Sequence, residues 1–89
     1  MISKEDKDKI RAISKKYKVK KVLLFGSCLE PDTKANDIDL AVEGIEAKVF
    51  FKYYGELYFS LSKPVDLVDL KSKSKFNDLV RMEGVAIYG

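Results

Sequence analysis

Apolar positions recur along the chain at two different spacings, and the switches between them mark out its elements. Ile10, Ile13 and Tyr17 fall at helical intervals behind Ser3 and Asp6, an N-cap and acidic first turn, which predicts a helix ending near Lys16. Val19 to Phe25 then reads as a first strand, and Asp37 to Val42 as a second, closed by Glu43-Gly44. Between them, Glu30-Pro31-Asp32-Thr33-Lys34-Ala35-Asn36 carries turn chemistry. Ala47, Phe50, Phe51, Tyr54, Leu57 and Leu61 recur every three or four residues, the clearest helix of the chain. Pro64 closes it and admits a third strand, Val65 to Leu70. Ser74 caps a last helix containing Phe76, Leu79 and Val80, Gly84 stops it, and Val85 to Tyr88 forms a short final strand. The order α-β-β-α-β-α-β predicts an α/β protein of the α+β kind, a mixed sheet with helices on one face and the other face open for a site.

Composition narrows what such a site can do. The 89 residues suit a single domain, expected to span residues 1–89. A hydrophobic content of 46% and a charged content of 35% describe an ordinary globular chain, and no apolar run approaches a membrane span. The first residues lack the apolar stretch of a secretory signal, and the single Cys28 excludes an internal disulfide, so a cytoplasmic setting is expected. With no histidine, the chain by itself cannot run Ser-His, Cys-His or His-zinc chemistry. Its net charge of +3 is mild. Lys15, Lys16, Lys18, Lys20 and Lys21 cluster before the first strand, where they read more readily as cations at a helix end than as a patch for RNA or another polyanion.

The acids carry the chemistry. Asp37 and Asp39 open the second strand two residues apart and therefore project from one face. Asp66 stands in an otherwise apolar strand and joins them if the second and third strands are neighbours. Three carboxylates within about 4 Å repel by roughly 4 kcal/mol per pair at an effective dielectric near 20, so a divalent cation is expected among them. All-oxygen ligands select magnesium or manganese. Asp69 has the opposite parity and reads as a strand-end or capping residue. Ahead of the acids, Gly26 permits close approach to a ligand and Ser27 offers a hydroxyl and an amide to phosphate oxygens. An EF-hand loop beginning at Asp37 fails at Ala41 and Val42, and neither a P-loop nor a dinucleotide-binding glycine motif is present. In the long helix, Phe50, Phe51, Tyr53, Tyr54, Tyr58 and Phe59 leave two readings open: a partner surface, or a broad core stripe with tyrosine tips in water.

Phe25-Gly26-Ser27, Asn36-Asp37-Ile38-Asp39-Leu40-Ala41-Val42, Pro64-Val65-Asp66-Leu67-Val68 and the ending Glu83-Gly84-Val85-Ala86-Ile87-Tyr88-Gly89 together resemble the minimal nucleotidyltransferases of the DNA polymerase β superfamily. The resemblance covers nearly the whole chain. It implies transfer of a nucleoside monophosphate, usually AMP from ATP, to an acceptor hydroxyl, with Asp37 and Asp39 holding magnesium. By the same resemblance Asp66 completes the metal site and helps deprotonate the acceptor, and Gly26 and Ser27 bind the β- and γ-phosphates. The family often continues Gly-Ser with arginine and glycine, whereas this chain has Cys28-Leu29-Glu30-Pro31, leaving Lys34 to stand in as a phosphate contact. Such domains are similar to antitoxins paired with HEPN-domain ribonucleases, whose tyrosine they adenylylate. A HEPN-domain partner is implied, with a homo-oligomer open and nucleic acid the weaker expectation. The alternative is a nucleotidyltransferase fold that neutralises its partner by contact, without chemistry.

Overall fold

The computed structural model describes residues 2–26 and 37–89. Its elements follow the expected order: α1 (Lys4–Lys16), β1 (Lys21–Phe25), β2 (Ile38–Glu43), α2 (Ala47–Ser60), β3 (Val65–Asp69), α3 (Lys75–Glu83) and β4 (Val85–Tyr88). Both serine caps form as read. Ser3 Oγ accepts from Asp6 N at 3.1 Å and Ser74 Oγ from Asn77 N at 3.0 Å. The four strands lie in the order β3-β2-β1-β4. β1 is antiparallel to both β2 and β4, while β2 and β3 run parallel, so the sheet is mixed.

Alternation along the strands divides the apolar residues between two layers. Val22, Leu24, Ile38, Leu40 and Val42 point toward α1 and α2 and build the main core with Ile10, Tyr53 and Leu57. Leu23, Ala41 and Val80 form a smaller cluster with Leu70 on the other face, beneath α3. The helices of the main layer thus cover one face as expected, but α3 takes part of the second. It sits close: a Cβ on Gly84 would crowd both Val80 O and the Leu23 side chain. At its far end Arg81 forks between the Glu43 carboxylate and Leu70 O.

Several local readings shift: β2 begins at Ile38 rather than Asp37, and β3 ends at Asp69 rather than Leu70. The first strand begins at Lys21 rather than Val19, because Lys18 turns through a positive φ of 56° before Lys20 N donates to Glu43 O. Along α2 the buried line runs through Tyr53 and Leu57, with Phe50 and Tyr54 packed beside it. Phe51 is 80% exposed. One residue of helix turns the side chain by about 100°, which carries Phe51 out of the stripe that takes Phe50. Tyr53 is fully buried and its phenol is pushed up to about 12 by burial, so it keeps its proton and shares a 2.7 Å bond with Ser14 Oγ.

Entry into β3 is set by a buried acid on α1. Asp6 accepts from Ser62 N at 3.1 Å and from Ser62 Oγ at 2.5 Å. Asp6→Ala should cost about 2 kcal/mol, the scale of a hydrogen bond to a charged group, read as a lower urea midpoint with an unchanged m-value.

Candidate active site

Parallel register brings the acids together. Asp39 pairs directly with Asp66 across β2 and β3, as Ile38 does with Val65 and Leu40 with Leu67. Neighbouring strands stand about 4.8 Å apart, so the two carboxylates leave the same face side by side. Asp37 lies one residue before β2, at the same end of the sheet. No irregularity interrupts the β2–β3 register, and the parity expected for Asp66 holds. Asp69 ends β3 and accepts from Lys71 N at 2.9 Å, a capping turn apart from the other acids.

Asp39 is half-buried, and its carboxyl is held above the usual carboxylate range, first by burial and then by the charges of Asp66 and Asp37. These charges therefore interact at one end of the sheet. Asp66 itself is exposed.

Gly26 closes the arrangement on the β1 side. Phe25 pairs with Asp39, and Gly26 follows with φ 75°, the left-handed region that favours glycine. A Cβ at this position would also collide with the Asp39 carboxylate. Glycine is thus required by its backbone angle, and its missing side chain leaves room for the Asp39 carboxylate, a reason that the sequence alone did not carry. Ser27, Cys28, Glu30 and Lys34, including two of the expected phosphate contacts, lie outside the described residues.

Among the described residues, no group of three or more carboxylate, thiol or imidazole side chains is gathered tightly enough to hold a metal ion by itself. The donor chemistry nonetheless suits a hard cation. Magnesium usually takes one or two carboxylates and leaves its other positions to water and substrate phosphates. A cation between Asp39 and Asp66 would offset the repulsion that adds to burial in raising the Asp39 carboxyl.

Two of the five lysines clustered around the start of β1 form local ion pairs. Lys16 Nζ meets Glu56 Oε1 at 2.5 Å and Lys20 Nζ stands 3.6 Å from Glu43 Oε2. Among the described residues no helix is long and apolar enough to cross a membrane.

A mixed four-stranded sheet with paired carboxylates at one end of a parallel strand pair, next to a glycine turn, is a nucleotidyltransferase-type architecture. Residues 8–89 match the family described as Polymerase beta, Nucleotidyltransferase, and the chain belongs to that family. Solved structures agree. The chain is 29% identical to a chain of a crystallised toxin-antitoxin with AMP-PNP, with a TM-score of 0.76 over 93% of this chain and 73% of the other. It is 26% identical to a chain of the MntA-HepT toxin-antitoxin, with a TM-score of 0.73 over 98% and 73% of the two chains. Against a tri-AMPylated Shewanella oneidensis HEPN toxin in complex with MNT antitoxin, identity is 28% and the TM-score 0.71 over 94% and 70%. No curated protein matches the chain.

Two outcomes test the geometry. Because the folded carboxyl of Asp39 titrates above its unfolded value, its ionisation disfavours the fold. The stability it allows is complete below the unfolded pKa and falls as pH rises through the folded one. Asp39→Asn should therefore raise the urea midpoint at pH 7 and lose that advantage below about pH 4, near the ordinary aspartate value. Gly26→Ala should cost at least about 1 kcal/mol from its left-handed backbone alone, checked by the same titration.

Proposed function

We propose that this protein transfers AMP from ATP to a hydroxyl of a partner protein, in the manner of an MNT antitoxin acting on a HEPN-domain toxin. The observation that carries the reading is the in-register pair Asp39–Asp66, with Asp37 at the same sheet end and Gly26 against Asp39. The match to the nucleotidyltransferase family supports the reaction class. The AMP-PNP in one similar structure supports the donor, and the AMPylated HEPN toxin in another supports the acceptor.

In the proposed reaction the acceptor oxygen attacks the α-phosphorus of ATP and forms a new P–O bond. The bond from that phosphorus to the oxygen bridging to the β-phosphate breaks, and pyrophosphate leaves with the electron pair. Asp66, exposed and next to Asp39, takes the proton from the attacking hydroxyl. Asp37 and Asp39, with Asp66, would hold magnesium or manganese, which supplies charge neutralisation on the phosphates when bound. Ser27 and Lys34 are assigned to the phosphates on sequence grounds, with Gly26 keeping the turn open beside Asp39.

Label from α-labelled ATP should appear on a co-expressed HEPN-domain protein in the presence of magnesium. Asp37→Asn combined with Asp39→Asn should reduce transfer at least about a hundredfold, the usual scale for losing charge stabilisation of a transition state. Persistence of the label in that double variant refutes the assignment.

A further inference from the structure

α3 presents to solvent an apolar line that neither core uses. Phe76, Leu79 and Met82 follow one another at three-residue intervals and are 52%, 50% and 80% exposed. The buried side of the same helix is taken by Asn77 and Val80, so the line is a second face of α3 and not a frayed part of its first.

Its position is set by one ring contact. Phe76 packs edge-on against Phe25 with centroids 6.0 Å apart. Phe25 is the β1 partner of Asp39 and immediately precedes Gly26. The line therefore starts beside the carboxylates, on their face of the sheet, and leads away toward Arg81 and Glu43 at the opposite sheet end. Lys71 follows Leu70 at that opposite end, whereas Lys73 and Lys75, both exposed, flank the start of α3. The start of the line is thus basic, while the sheet end beside it bears Asp37, Asp39 and Asp66.

We propose that this line is the docking surface for the acceptor protein. Its occupant is an amphipathic helix of the HEPN-domain partner, with an apolar stripe laid on Phe76, Leu79 and Met82 and carboxylates facing the lysines. The inference rests on the proposed transfer reaction for its choice of partner. Two features select that occupant. The surface is continuous with the candidate site, so a protein bound there has a hydroxyl within reach of the carboxylates. The lysine rim favours an acidic edge and steers its approach. A larger aromatic surface on α2, where Phe51 and Phe59 are 80% and 88% exposed, serves as the comparison, because α2 packs on the face away from the acids.

The test uses the full chain and the co-expressed HEPN-domain protein, with Leu79→Glu and Met82→Glu set against Phe51→Glu and Phe59→Glu. Partner binding and magnesium-ATP binding are measured separately by calorimetry, and label transfer is followed against partner concentration. The α3 variants should weaken partner binding and raise KM for the partner by about tenfold or more, with kcat and nucleotide binding unchanged. Lys73→Glu with Lys75→Glu should slow association, most strongly at low salt. Unchanged partner affinity in both α3 variants, loss confined to the α2 variants, or no partner binding by the wild-type chain overturns the docking surface. If the α3 variants lose binding while no wild-type label transfer occurs, the surface stands and the transfer reaction fails.

Discussion

The in-register parallel pairing of β2 with β3 is the constraint on which the rest of the structure depends. It is fixed at both ends, by Ile38 N donating to Pro64 O at 2.8 Å and Leu70 N donating to Val42 O at 2.9 Å. Tyr54 adds a bond from its hydroxyl to Val65 O at 2.8 Å, and Asp6 holds Ser62 just upstream. A slip of one residue would turn Asp66 toward α1 and α2 and expose Val65, whose side chain is buried in the main core. The burial of Val65 and Leu40 thus places Asp66 and Asp39 where they are. The same two-residue alternation builds the core on one face and the acid pair on the other.

This arrangement opposes stability locally. Asp39 sits half-buried between two other acids, with its carboxyl displaced upward, and a different side chain would suit the fold better. Gly26 is a second concession, since its left-handed turn allows only glycine beside that carboxylate. Both features occur at one end of the sheet. Elsewhere the charges are placed conventionally: Arg81 holds Glu43 below the ordinary carboxylate range through a hydrogen bond, and Glu56 is held down in the same way by Lys16 and Tyr17. The strain is local to the site.

Much of this was legible in the residues because the signals were local. Ser3 and Ser74 announced their helices through their own hydrogen bonds. The parity of Asp39 and Asp66 followed from strand periodicity once β3 was placed beside β2, whereas Asp37 precedes the strand. Features fixed by packing between distant segments were not legible. Nothing in the sequence around Phe51 separates it from Phe50; α1 lies against one side of α2 and leaves the other bare. The coverage of the second face by α3 depends on Gly84 fitting closely over Leu23, and those residues are 61 positions apart in the chain. The collision that a Cβ at Gly26 would make with Asp39 is equally invisible without the β1–β2 register.

The exposure of the site bears on how the proposed chemistry would be driven. Fixed charges stabilise a developing charge most strongly where water is excluded. Among the described residues the carboxylate end is open, and Asp66 is exposed. In high dielectric an added charge interaction is worth about 1 kcal/mol at 4 Å, against about 4 kcal/mol at an effective dielectric near 20. On the proposed reading, a partner seated on α3 would therefore do more than present a hydroxyl. By covering the face that bears Asp39 and Asp66, it would lower the local dielectric and strengthen each charge already in place. Phe76 and Phe25 form the apolar hinge between that partner surface and the acids. Docking and chemistry are then parts of one site, and the acceptor protein supplies a wall that the described residues do not.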